Sequence, residues 1–402
     1  MNANKCGCIL FFNMKFPKFS FSDELTELHT FENLEQKYKK IVFYSENQNS
    51  WFIFKSLIEE LTNTYDMDIC YVTSNKDEPI LQSTNKKIKT FCIGDGIART
   101  NFFLNLQADI LIMTMPDLET FHIKRSKVYP VHYVYLFHAM ISTHLAYRKN
   151  AFDNFDSILC VGEYQINEIR NTEKIYNLKA KNLIRCGYGH LDNLIKKYEM
   201  RINEVRKPEN SQTQILLAPS WGKHGLFETI IEDVIDILLK NGYKVILRPH
   251  PMSLKVSKKK IKSIENLFLI NNNFRLEVDF PNFDSFLDSD VMISDWSGAA
   301  LEYAFVFKKP ILYIDVPKKI HNVDYKNISE IPIEISIRDK IGKIILPSNS
   351  DKIPIEIENL KKKSFEMKKT IETLRNNLIF NVGNSEKSAA KYIIELLNQK
   401  KN

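Results

Sequence analysis

The chain has 402 residues, 44% of them hydrophobic and 26% charged, and Lys+Arg 56 against Asp+Glu 49 leaves a net charge of +7. This composition excludes a disordered, collagen-like or polytopic membrane chain, and at roughly 100–200 residues per domain the length predicts two or three domains. So small a basic excess permits attraction to phosphates or an anionic surface without demanding either, and no nucleic-acid partner is expected.

Residues 1–40 read as an N-terminal arm packed on the surface of the domain that follows. The apolar run Ile9 to Phe12 and the aromatics Phe16, Phe19 and Phe21 are broken by Asn13, Lys15 and Pro17. The run is too short to span a membrane and lacks a small-residue cleavage site, so a cytoplasmic protein is expected. The aromatic and basic character of the arm is compatible with a loose peripheral contact at an anionic membrane. Of the six cysteines, Cys70, Cys92, Cys160 and Cys186 lie in apolar runs, which predicts reduced, buried thiols. Cys6 and Cys8 form a C-x-C with no second pair, so neither zinc nor any other metal or cofactor is expected.

From residue 41 the pattern alternates between apolar runs and helix-like segments. Strands are predicted at Ile41 to Tyr44, Asp68 to Val72, Ile88 to Ile93, Asp109 to Met113, Val131 to Phe137 and Ser157 to Val161, with a helix over Asn49 to Leu61. The polar, proline-containing stretch 200–212 reads as a linker. Alternation then resumes: strands Gln214 to Ala218, Lys244 to Leu247, Val291 to Ile293 and Pro310 to Ile314, with helices over Leu226 to Leu239 and Ala299 to Phe305. Near-continuous apolar strands between helices imply parallel sheets covered on both faces. The expected fold is α/β: two doubly wound, Rossmann-like domains over 41–199 and 213–375, a cleft between them, and a helical tail over 376–402.

In such a fold chemistry gathers just after strand ends, and four of them carry polar groups. One ends in His138. The others lead into Ser220-Trp221, into Arg248-Pro249-His250-Pro251, and into Ser294-Asp295-Trp296-Ser297-Gly298. Arg248 offers a bidentate fork for phosphate oxygens, and the serines and glycine at a helix start offer hydroxyls, N–H groups and the positive end of the helix dipole. The prolines flanking His250 fix its backbone, which suits a ligand-positioning role. Other motifs weaken on inspection. Asp288-Ser289-Asp290 reads as a solvated turn rather than a metal–diphosphate site. Gly94-Asp95-Gly96 lacks the third glycine of a dinucleotide fingerprint. The lysine run from Lys255 to Lys262 reads as a solvated helix face, with anionic lipid or a polyanionic acceptor as the alternative.

The ordered segments FHAM, YRKNAFDNFDSILCVGEY, GYGHLDNL, LLAPSW, ILRPHP and SDWSGAALEYAFVFKKPILYID, with a C-terminal GNSEKSAAKYI, resemble the CDP-glycerol glycerophosphotransferase family of teichoic acid and capsule polymer synthesis. The resemblance implies a GT-B architecture whose C-terminal helix crosses back to the first domain. It also implies transfer of glycerol phosphate, or a related polyol phosphate, from a CDP-activated donor to a lipid-linked or glycan acceptor at the inner face of the cytoplasmic membrane. By this resemblance His138 is the general base, and His250, counted with it among the catalytic residues, contacts the donor diphosphate together with Arg248. Arg248, Asp295, Ser297 and Glu302 match its donor-binding motifs, and the strand-end reading adds Ser220, Trp221, Ser294 and Gly298 to the donor-binding residues. Two positions depart from the family pattern: Ala139 stands where a glycine follows the first histidine, and Gly298 stands where a serine is expected. The competing readings are a GT-B glycosyltransferase using a nucleotide sugar and a non-catalytic nucleotide- or glycan-binding member.

Overall fold

The structure is a computed structural model that describes residues 21–46, 49–202, 211–278 and 283–400. Cys6, Cys8, most of the aromatic arm and most of the expected linker lie outside these residues.

Two parallel sheets form the molecule. The first contains β1 (Ile41–Ser45), β2 (Ile69–Thr73), β3 (Ile88–Cys92), β4 (Ile110–Met113), β5 (His132–Leu136), β6 (Ser157–Cys160) and β7 (Asn182–Arg185), in the order β3-β2-β1-β4-β5-β6-β7. The second contains β8 (Gln214–Leu217), β9 (Lys244–Leu247), β10 (Phe274–Leu276), β11 (Val291–Ser294), β12 (Ile311–Ile314) and β13 (Gly342–Ile345), in the order β10-β9-β8-β11-β12-β13. Strand order reverses at β1/β4 in one and at β8/β11 in the other, and ligand crevices open at such reversals. The central strands are buried along their whole length because helices cover both faces.

The strands absent from the sequence reading are β7, β10 and β13. All lie at sheet edges, and their half-exposed, polar-interrupted sequences carry little periodic signal. The helix expected from Leu226 begins only at Ile231, because Leu226 and Phe227 are buried within the preceding turns. The N-terminal segment is also more than a surface arm. Its helix Phe21–Glu32 inserts Leu28 and Phe31 into the first core, and the Phe31 ring meets those of Phe91 and Phe102 edge-on at 5.5 and 5.3 Å.

Side chains of the second sheet alternate between two cores. Ile215, Leu217, Val245, Leu247, Ile293 and Leu312 pack on one face. Leu216, Ile246, Met292, Ile311 and Tyr313 join the core that is continuous with the first sheet. The helix Ala299–Phe307 runs through that continuous core and is apolar almost all round.

The C-terminal segment returns to the first sheet. The Phe380 N–H donates to the Val161 carbonyl at 2.9 Å, and the helix Ser385–Gln399 packs on the helix Asn49–Asn63. Two of the recognised segments meet there. The Asp192 carboxylate accepts from the N–H groups of Gly383 (2.7 Å) and Ser385 (2.9 Å), and a Cβ on Gly187, at φ +100°, would overlap the Phe380 carbonyl. Cys70, Cys92, Cys160 and Cys186 are free, buried thiols.

Candidate active site

His138 lies two residues beyond β5, at the carboxyl end of the first sheet, with its ring open to the cleft. The backbone of Thr114, which follows β4, acts on this ring and favours its charged form. Desolvation by the walls of the cleft lowers the imidazole pKa below the ordinary histidine value, against the opposing pull of the Thr114 backbone. The ring is therefore neutral at pH 7 and able to accept a proton.

Across the cleft, β11 leads into the helix Ala299–Phe307 through Ser294 to Gly298. Ser297 and Gly298 are half-buried at the cleft, and a Cβ built on Gly298 would lie 3.8 Å from that of Ala139. The start of this nine-residue helix therefore faces the loop that carries His138. One turn into it, Glu302 meets buried Tyr188, whose hydroxyl donates to the His138 backbone carbonyl at 2.8 Å and lies 3.3 Å from the Glu302 carboxylate. Tyr188 thus joins the two walls.

Ser294 and Asp295, expected to bind the donor, instead face inward. Ser294 is fully buried and donates to the Ala218 carbonyl at 2.7 Å. Asp295, 1% exposed, accepts from the Ser220 N–H (2.6 Å), the Ser220 hydroxyl (3.0 Å) and the Leu226 N–H (2.9 Å). A carboxylate satisfied by three donors shapes the 218–226 loop, and Ser220 spends both its donors on the same task.

Trp221, next in that loop, stays half-exposed. Lys319 Nζ sits 3.8 Å from its ring centroid, and the His250 and His321 rings lie 6.2 and 6.5 Å from it. His250 caps the helix Pro251–Val256: its Nδ1 accepts the Met252 N–H at 3.0 Å, which puts the ring proton on Nε2. Burial, aided by Lys319, holds its pKa at about 4. His250 is accordingly a neutral hydrogen-bond donor. Lys319 is itself lowered to about 8 by burial, with Asp295 opposing the shift. Arg248 is held from two sides. Its Nη1 lies 3.5 Å from Glu277 Oε1, and its guanidinium rests 4.4 Å over the Phe286 ring.

A seam of hydrogen bonds closes one end of the cleft. The Ser142 N–H and hydroxyl donate to Glu334 Oε1 at 2.8 and 3.2 Å, and His144 Nε2 donates to the Glu330 carbonyl at 3.0 Å. Burial, with the nearby Glu168 charge adding to it, pushes the Glu334 carboxyl up to about 7.

His138, Ser297, Gly298 and Glu302 thus come together at one level of the cleft, with Trp221 and His250 in a second polar cluster on the donor side. Lys319, His321, Tyr188 and Glu334 escaped the sequence reading. Lys319 and His321 follow β12 closely, so the rule of searching after strand ends would have found them there. Nothing local marks Tyr188 or Glu334, whose partners lie 50 or more residues away. Asp290 of the acidic D-x-D accepts the Gln214 N–H at 2.8 Å, a structural use. Among the described residues, no cluster of three His, Cys, Asp or Glu is placed to hold a metal ion.

The sequence pattern of the family described as CDP-Glycerol:Poly(glycerophosphate) glycerophosphotransferase matches residues 27–322. The chain belongs to this family. It is 23% identical over 259 residues to the minor teichoic acid biosynthesis protein GgaB of Bacillus subtilis (strain 168), a match covering 56% of this chain and 25% of that protein. The chain therefore spans about a quarter of the length of the curated relative it matches. Among solved structures, the wall teichoic acid polymerase TagF, in a variant soaked with CDPG, superimposes with a TM-score of 0.58 at 14% identity, covering 95% of this chain and 94% of that one. The UDP-GlcNAc 2-epimerase of Neisseria meningitidis, bound to UDP-GlcNAc, gives 0.55 at 13% identity, covering 89% and 100%. At these identities the likeness establishes the fold, GT-B-like with two parallel-sheet α/β units. Among the described residues, no helix is long and apolar enough to cross a membrane.

Proposed function

We propose that this chain transfers glycerol phosphate, or a related polyol phosphate, from a CDP-activated donor to a hydroxyl of a poly(glycerophosphate)-type acceptor, lipid-linked or glycan, in cell-surface polymer synthesis. Family membership supports the reaction class. The observation that carries the reading is His138, neutral in the cleft, on the loop that meets the start of the helix Ala299–Phe307 from the other sheet.

In this reading the unit of the first sheet, 41–199 with the returning tail 376–402, takes the acceptor, and the unit 213–375 takes the donor. The acceptor hydroxyl gives its proton to the free nitrogen of His138 as its oxygen bonds to the outer phosphorus. The bond from that phosphorus to the bridging oxygen breaks, and CMP leaves with the electron pair. Ser297, the Gly298 N–H and the helix dipole stabilise the charge on the diphosphate, together with Arg248 and the Nε2–H of His250. Trp221 and Lys319 line the donor side, and Glu302 receives ribose hydroxyls. Asp295, Ser220 and Ser294 hold the loops that present these groups. Lys255, Lys258, Lys259 and Lys262, with exposed Leu267 and Ile270 close by in sequence, support peripheral contact with an anionic inner membrane face.

Calorimetric titration with CDP-glycerol, CDP, UDP and GDP tests the reading. Cytidine-selective binding, strongest for CDP-glycerol and weakened about 10-fold or more in Arg248→Ala, is expected. A preference for UDP or GDP would replace it with a sugar transferase.

A further inference from the structure

Two loops, one from each unit, are tied together beside the cleft. The segment after β12 docks on the loop after β5: the His321 N–H donates to the Leu145 carbonyl at 3.1 Å, and Asp324 pairs with Lys149 at 3.0 Å. Arg148 lies between these ties in sequence, next to Tyr147, whose ring is 6.1 Å from that of His138. On the other unit, Lys319 rests over the Trp221 ring, which the His250 and His321 rings also approach. Arg148, Lys319 and His321 are thereby brought to one place, close to the groups proposed to act on the substrates.

Apart from ring contacts, none of these three side chains has a hydrogen-bond or ion-pair partner among the described residues. For Arg148 and His321, both exposed, that is ordinary. Lys319 is different, because burial lowers its pKa to about 8. A desolvated ammonium is costly without a counter-charge, and an aromatic face offsets only part of the cost. Asp295 opposes the shift, but its oxygens are occupied by Ser220 and Leu226. Positive charge dominates the rest. Desolvation lowers the His321 pKa, and Lys319 and Arg148 lower it further; Lys319 has the same effect on His250. Asp117 feels Arg148 without pairing with it.

We propose that Lys319, His321 and Arg148 form a seat for a phosphate group of a substrate. The inference rests on the CDP-polyol reading above and adds residues from both units to it. An ammonium supplies a point charge, a guanidinium a planar fork and a neutral imidazole one N–H, and a tetrahedral oxyanion accepts from all three. The seat is open to a ligand, since Lys319 and Trp221 are half-exposed and Arg148 and His321 exposed. Two sources have this chemistry: the donor diphosphate, on the side of Trp221 and His250, and a phosphodiester of the acceptor chain, on the side of Tyr147 and His138.

The test is titration of the whole chain with CDP and with a short glycerol-phosphate oligomer, repeated on Lys319→Gln, Lys319→Arg and Arg148→Gln. Lys319→Gln is expected to weaken at least one ligand about 10-fold or more, and Lys319→Arg to restore most of that loss. Arg148→Gln, at an exposed position, should weaken the same ligand roughly threefold. A loss confined to CDP identifies the donor diphosphate as the occupant, and one confined to the oligomer identifies the acceptor phosphodiester. The seat is overturned if Lys319→Gln or Arg148→Gln leaves both affinities at the parent value. It is equally overturned if Lys319→Arg restores nothing, which would mark Lys319 as mere packing for Trp221. A parent that binds the oligomer but no cytidine nucleotide would overturn the CDP-polyol reading alone, because the variants are still read on the oligomer.

Discussion

The Cβ that Gly298 lacks would sit 3.8 Å from the Cβ of Ala139, across the cleft between the two sheets. These are the two positions at which the chain departs from its family's pattern, and the structure brings them face to face. A methyl group present on the histidine loop is matched by a side chain missing from the helix start. The exchange preserves the local volume, which the separate readings of the two positions did not suggest.

The pair should therefore behave non-additively. Gly298→Ser alone extends an oxygen beyond ordinary contact with Ala139 and is expected to weaken CDP-glycerol binding roughly three- to tenfold. The double change Ala139→Gly/Gly298→Ser should recover most of the loss, a coupling of about 0.5–3 kcal/mol. Strictly additive affinities would mean that the two positions are independent.

His138→Ala is expected to lower kcat by about 10²–10⁴, leaving donor affinity close to that of the parent. The pH profile provides a second check. The base works only when neutral, and desolvation favours that form, so activity should fall on the acid side with a midpoint below the ordinary histidine value of about 6.5. A midpoint at or above that value would argue for a different base.

Asp295→Ala should act on stability. It strips partners from the Ser220 N–H and hydroxyl and from the Leu226 N–H, all at buried positions. A loss on the order of 3 kcal/mol in denaturant unfolding is expected. Parental stability combined with abolished donor binding would instead place its carboxylate on the ligand.

Glu78, 2% exposed, is bonded to the Ser45 hydroxyl at the ends of β1 and β2, and burial pushes its carboxyl up to about 7. The folded state therefore holds this proton more tightly than the unfolded chain, where the value is near 4.5. Stability from this group is full below about 4.5 and is lost as pH rises through 7. Glu78→Gln removes the titration, so its stability relative to the parent should grow by on the order of 3 kcal/mol from pH 4.5 to 8. A pH-independent difference would refute the assignment.

Continuous apolar runs announced the central strands because only strands buried on both faces can carry them, and that alone implied parallel α/β units. The edge strands β7 and β13 gave no such signal: half their residues meet solvent, so composition does not constrain them. The strand-end rule located His138, Arg248, His250 and the Ser294 to Gly298 segment, since a parallel sheet delivers its loops to one edge. It could not say which way each side chain turns. Ser294 and Ser297 are three residues apart, yet one is sealed against Ala218 and the other faces the cleft.

The sequence by itself determined the two sheets, the family and the set of strand-end groups, because periodicity and motif order are local properties of a chain. Only the tertiary structure decided which of those groups face the cleft. It alone revealed that Tyr188 bridges to Glu302, that Ala139 meets Gly298, and that Arg148 and Lys319 both act on His321. Those relations join residues from separate segments of the chain, and they arise only when one unit's loops pack against the other's.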